Sequence, residues 1–250
     1  LLQMNVKHYL DSTYLKTAEQ ANLSEEKNTE VVAGFVEEAI TYDFKLIMIR
    51  PDKVALAKEM IQNAKSKVTI GTVIDFPDGA GSLEDKLAEA KLAINNGADD
   101  LDFVVDYKAF QNEEFDKVKK QVLEGTKLGL QHHKIVKWII EVAALNDHQI
   151  IQLSALIKNV VMDHFKESEY EKVFVKSSTG FYKTPEGVPN GATVHTIKLM
   201  LENSFPLSVK AAGGVRSYEE AIEMIELGVK RIGTSAAKAI ANGETSTNNY

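Results

Sequence analysis

The stretch V-F-V-K-S-S-T-G-F, residues 173 to 181, ends an apolar, β-branched run on Lys176 and follows it with hydroxyl-bearing residues and a glycine. A second run, L-S-V-K at 207 to 210, ends on Lys210 and leads into A-A-G-G. Each places a primary amine at the end of an apolar run. An amine that is neutral near pH 7 attacks carbonyl carbon and forms a Schiff base. Two such amines on neighbouring strands repel, which a fold tolerates mainly where lowering the pKa of one of them is useful.

Elements must hold these residues together, and the chain supplies eight short apolar runs. They begin at Val6, Lys45, Lys67, Leu101, Lys134, Lys172, Leu207 and Val229. Segments of helical period separate them. Ser82 opens one with Leu83, Leu87, Ala90 and Ile94 on a single face and Gly97 at its end. Ser217 opens another with a capping box to Glu220, and Gly228 stops it. Strict strand and helix alternation predicts a parallel sheet, and eight units in 250 residues match an α/β, single-domain (β/α)8 TIM barrel over residues 1 to 250. An open doubly wound sheet is the alternative, but no G-x-G-x-x-G or phosphate-binding loop motif supports it.

In a barrel the outward face of each strand packs on helices, so charge belongs inside and near the mouth. Val173 and Val175 share one parity, leaving Phe174 and Lys176 inward; Leu207 and Val209 likewise leave Lys210 inward. Leu101, Phe103 and Val105 face out, which turns Asp102, Val104 and Asp106 in. Lys137 and Glu141 lie opposite Trp138 and Ile140, and Asp11 lies opposite Leu10. Five strands thus send charge into one interior, toward the ends where barrel active sites lie.

Composition narrows the chemistry further. A net charge of -7 and a pI near 5.5 argue against nucleic acid or an anionic membrane as partner. The absence of cysteine removes disulfides, thiolate metal sites and a cysteine nucleophile. Six histidines form no H-x-H or H-E-x-x-H pair, so no metal site and no cofactor are expected. No stretch approaches the ~18 apolar residues of a membrane span, so a soluble cytoplasmic protein is expected.

The set L-D-F-V at 101, V-K-S-S-T-G-F at 175 and V-K-A-A-G-G-V-R-S at 209 resembles deoxyribose-phosphate aldolase, a class I, Schiff-base-forming aldolase family built on this barrel. The likeness runs from L-D-S-T near the start, through T-V-I-D-F-P and N-G-A-D-D, to R-I-G-T-S at 231. It implies that Lys176 is the Schiff-base lysine, with Lys210 and Asp102 as its proton relay. It also implies a phosphate site among Gly180, Gly213, Gly214, Gly233 and Ser235, and sugar contacts from Asp11, Thr13 and Thr179. Ala212 and Ala236 stand where many members have serine, and Asp106 where an amide or proline is common.

The implied reaction is cleavage of 2-deoxy-D-ribose 5-phosphate to D-glyceraldehyde 3-phosphate and acetaldehyde. The partners are then a sugar phosphate, small aldehydes and, for the quaternary structure, further copies of the chain. A transaldolase or another sugar-phosphate aldolase would use the same lysine logic, and a catalytically silent sugar-phosphate-binding barrel is the non-enzymatic alternative. The polar tail at 242 to 250 lacks apolar periodicity and is expected to be mobile, starting far from the mouth. It ends in Tyr250, as some family members do, and that phenol is a candidate for proton transfer at the enamine carbon.

Overall fold

A computed structural model of the chain describes residues 5–246. Eight parallel strands close in sequence order into a barrel. They are β1 (Leu10–Tyr14), β2 (Leu46–Ile49), β3 (Thr69–Ile74), β4 (Asp100–Val104), β5 (Ile135–Ile139), β6 (Val173–Lys176), β7 (Ser208–Ala212) and β8 (Arg231–Thr234). The seam is closed by β8 pairing with β1, Gly233 opposite Asp11. Outward apolar residues of alternating parity pack beneath the helices, as Leu101, Phe103, Val136, Trp138, Val173 and Val175 do. Trp138 stacks on Phe103 at 4.6 Å between centroids and donates its indole N–H to Thr126 Oγ1 at 2.9 Å. Gly125 permits this approach, since a Cβ there would come within 2.8 Å of the indole.

The two helix boundaries expected from capping signals hold. Ser82 Oγ accepts the Asp85 N–H ahead of helix Leu83–Asn96, and Gly97 ends it with φ 112°. Ser217 and Glu220 form a reciprocal box ahead of helix Tyr218–Leu227, which Gly228 closes. The first strand needs correction. Val6–Tyr9 is a turn of 3-10 helix, and β1 starts only at Leu10, so the apolar residues near Val6 lead into the strand rather than forming it. Asp106 is a second correction. β4 ends at Val104, and two residues later Asp106 leaves the inward face to cap helix Tyr107–Gln111, accepting the Ala109 N–H at 2.9 Å. Lys117 pairs with its other oxygen at 2.8 Å.

The last helix, Ala237–Ala241, is little more than one turn. Asn242 Nδ2 then reaches the Tyr42 hydroxyl at 3.4 Å, at the end of helix Glu25–Tyr42. Three residues later Thr245 pairs antiparallel with Ser217, and the Ser246 N–H donates to Arg216 C=O at 3.1 Å. The described part of the tail therefore returns to the loop that follows β7. Tyr250 lies outside the described residues.

Candidate active site

Six side chains inside the barrel form a closed ring of alternating charge. Lys137 Nζ reaches Asp100 Oδ2 and Asp102 Oδ1, each at 2.7 Å. Lys210 Nζ bridges Asp102 Oδ2 at 3.0 Å to Asp11 Oδ2 at 2.6 Å. Arg231 completes the circuit, with Nε to Asp11 Oδ1 at 2.7 Å and Nη2 to Asp100 Oδ2 at 2.8 Å. Lys176 hangs from this ring by one contact, Nζ to Asp102 Oδ2 at 3.0 Å. None of the seven residues is more than 6% exposed.

Charge balance decides which amine is free. Taking an ion out of water costs several kcal/mol unless close partners offset it. Three carboxylates balance three cations around the ring, and each ring cation touches two carboxylates. Lys176 is the surplus cation and shares an oxygen already taken by Lys210. Burial and then the charge of Lys210 lower its pKa from 10.5 to about 8, against the pull of Asp102. Its neutral fraction at pH 7 rises by roughly 300-fold, since each pKa unit is about tenfold. Lys210 moves the other way: burial would lower its pKa, but Asp102 and Asp11 outweigh burial and raise it. Burial opposes ionisation of Asp102 as well, yet Lys137, Lys210 and Lys176 hold it well below the usual carboxylate range.

This coupling has a measurable consequence. Lys210→Leu removes the second largest influence depressing the Lys176 pKa and leaves Asp102 less compensated, and both changes favour the ammonium form. The acidic limb of the kcat/KM profile, which reports a free amine, should move above the wild-type position near pH 8. An unmoved limb would uncouple the two lysines.

Asp11 and Thr13 already have partners within the barrel wall. Both Asp11 oxygens serve Arg231 and Lys210, with the carboxyl held at about 2 although burial opposes its ionisation. The Thr13 hydroxyl donates to its own strand, at Asp11 C=O, 2.9 Å away. Thr179 gives its hydroxyl proton to Glu141 and accepts the Phe181 N–H at 3.1 Å. Ser177 fastens the chain after β6 to β7, donating to Ala212 C=O at 2.7 Å and accepting the Ala212 N–H at 2.9 Å.

The glycines fall into two kinds. Gly180, Gly213 and Gly214 have φ of 80°, 86° and 83°, in loops at the C-terminal ends of β6 and β7. Glycine alone takes this backbone without strain, and the turns leave amide N–H groups able to meet an anion. Gly233 lies inside β8, where a Cβ would stand 3.0 Å from Lys210 Cε, so its missing side chain gives Lys210 room. Ser235 follows β8 and is half-buried. Across the interior β2 and β3 contribute apolar residues, Leu46, Met48 and Val73, which cluster with Leu15 and with Phe76 and Phe181 above them. Among the described residues, no three His, Asp or Glu side chains are grouped to hold a metal ion.

Comparison with known proteins identifies the family. The profile of the DeoC/LacD family of aldolases matches residues 14–244. The chain belongs to that family. The deoxyribose-phosphate aldolase of Thermococcus gammatolerans is 36% identical over 244 residues, covering 97% of this chain and 98% of that protein. The enzyme of that name from Lactococcus lactis subsp. lactis is 37% identical over 248 residues, 99% of this chain and all of that one. Among solved structures, "QR15, an Aldolase" superposes with TM-score 0.79 at 31% identity, covering 96% of each chain. The deoxyribose phosphate aldolase of Aeropyrum pernix, described as uniquely tetrameric, gives TM-score 0.74 at 26% identity over 95% of this chain and 89% of that one. This aldolase is accordingly a lyase acting on small molecules, and among the described residues no helix is long and apolar enough to cross a membrane.

Sequence reasoning missed two members of the ring, Asp100 and Arg231. The signal was available: Asp100 shares the parity of Asp102, and Arg231 lies opposite in parity to the outward Ile232. It also missed Lys86, which is buried in the helical face beside Ala90. Lys86 pairs with Asp75 and donates to Gly79 C=O at 2.7 Å and Val104 C=O at 2.9 Å, pinning the loop after β3.

Proposed function

We propose that this aldolase cleaves 2-deoxy-D-ribose 5-phosphate reversibly to D-glyceraldehyde 3-phosphate and acetaldehyde through a Schiff base on Lys176. The observation carrying the proposal is the surplus position of Lys176 beside a neutral ring. Its amine attacks the C1 aldehyde of the open-chain sugar, and loss of water leaves an iminium ion. A base removes the C3 hydroxyl proton while the C2–C3 bond breaks and its electrons flow into the iminium. Glyceraldehyde 3-phosphate departs; the enamine is protonated at carbon and hydrolysed to acetaldehyde. Asp102, Lys210 and a water between them are the assigned proton relay, a contribution typically worth ~10²- to 10⁴-fold. The substrate phosphate is assigned to the amides around Gly180, Gly213 and Gly214 together with Ser235. Local N–H groups of this kind bind an anion even on an acidic protein. The apolar wall of Met48, Val73, Phe76 and Phe181 suits a donor carbon without a hydroxyl. Work on such metabolites, in a chain without cysteine, fits the cytoplasm as compartment.

A transaldolase-like reading shares Lys176 and differs in its donor. With D-glyceraldehyde 3-phosphate as acceptor, acetaldehyde should support condensation and dihydroxyacetone phosphate should not. Preference for dihydroxyacetone phosphate would replace the proposed substrate while leaving the lysine chemistry in place; no reaction with either would favour a silent binding barrel.

A further inference from the structure

Asp102 is pinned as a carboxylate and Lys210 as an ammonium, and general acid–base catalysis works best when the pKa lies near the working pH. Glu141 stands outside the ring and beside it. Ile139, the last residue of β5, is in register with Lys176. Beyond it the chain continues to pair, the Ile140 N–H donating to Lys176 C=O at 3.0 Å and the Val142 N–H to Ser177 C=O at 2.9 Å. Glu141 therefore shares the inward parity of Ile139 and sits one layer nearer the mouth than Lys176. Its backbone is left-handed, with φ 58°, a conformation that strains a non-glycine residue. The side chain is 1% exposed. Oε2 accepts the Thr179 hydroxyl and, at 3.4 Å, the Thr179 N–H, while Oε1 is buried without a hydrogen-bond partner among the described residues.

We propose that Glu141 is a further catalytic residue, giving the proton that expels water from the carbinolamine on Lys176 and recovering it when the imine is hydrolysed. The proposal rests on the Schiff-base reading. In the forward step the nitrogen lone pair forms the C=N bond, the C–O bond breaks, and the Glu141 proton converts the departing hydroxyl into water. In the reverse step water adds to the iminium carbon and returns its proton to the carboxylate. Charge balance favours this partner: a neutral amine and neutral carboxyl become an iminium cation and a carboxylate, so the buried site gains no net charge. Burial raises the Glu141 pKa from 4.5 to about 7, against the Thr179 hydrogen bonds and the charge of Lys176. The neighbouring Tyr107 phenol stays protonated, raised to about 12 by burial and then by Glu141, Asp78, Tyr182 and Asp106.

The test is the rate at which cyanoborohydride traps acetaldehyde on Lys176, followed by mass spectrometry from neutral to alkaline pH. Glu141→Gln keeps an acceptor for Thr179 but has no acidic proton; trapping should slow by roughly 100-fold and lose its alkaline limb. Thr179→Val should retain that limb. Wild-type trapping in Glu141→Gln, or the same loss of limb in Thr179→Val, would overturn the proposal in favour of a positioning role. Should Glu141→Gln fail to fold, Glu141→Asp keeps a carboxyl: a displaced alkaline limb supports the assignment and an unmoved one overturns it. Labelling of a different lysine in the wild type would instead overturn the nucleophile beneath it.

Discussion

Lys176→Leu should lose turnover and the borohydride-trapped ethyl group together, with no loss of fold. Turnover should fall by roughly 10⁴-fold or more, the scale expected when a nucleophile working with its partners is removed. Stability should hold because leucine removes the surplus cation and leaves the ring balanced; exchanging a buried ion for a hydrophobic residue is often neutral or stabilising. The readouts are turnover with 2-deoxyribose 5-phosphate, the mass of the acetaldehyde-treated protein and a thermal melt. A folded variant that still acquires the label, on Lys210 or Lys137, would move the nucleophile to that residue.

Asp102→Asn should cost both activity and stability. Asp102 is the hub of the site, holding Lys137, Lys176 and Lys210 through two oxygens. The amide leaves these amines without their shared counter-charge in a dry interior. Breaking a buried ion pair from one side typically costs ~3–5 kcal/mol. Domains carry a total of only ~5–15 kcal/mol, so the variant should approach the unfolding threshold. The pH dependence has a definite sign. The folded-state pKa of Asp102 lies below its ordinary 3.8, so its contribution is fully present above that value and fades as pH falls through the folded pKa. Urea melts of the two proteins should therefore differ most at neutral pH and converge in acid. A constant difference across that range would assign the loss to packing rather than charge.

Much of this architecture could be read without coordinates because barrel strands obey two constraints at once. Helices on the outside demand apolar residues at one parity, so a charge at the other parity must point inward, as Lys176, Lys210, Asp102, Lys137 and Asp11 do. The same rule applied to R-I-G-T would have turned Arg231 inward. A lone basic residue at a strand end is ordinarily a surface residue with a buried stem, and only the acids it meets mark it otherwise. Those acids are distant in sequence: Asp11 is 220 residues from Arg231 and Asp100 is 131. Parity also expires where a strand does, which is why Asp106 became a helix cap two residues beyond β4. Glu141 kept its parity beyond β5, but nothing local announced its left-handed backbone or its hold on Thr179.

The ring divides by sign along the chain. Every carboxylate comes from the first half of the barrel, Asp11 on β1 and Asp100 and Asp102 on β4. Every ring cation comes from the second, Lys137, Lys210 and Arg231 on β5, β7 and β8, as does the pendant Lys176 on β6. A half-barrel collapsing alone would have to bury like charges against each other, and either half offers the other its missing counterions. Charge alone therefore favours the closed barrel over either half, since the ions meet their counterions only across the joins between the halves, Lys137 with Asp100 and Asp102 from β5 to β4 and Arg231 with Asp11 from β8 to β1.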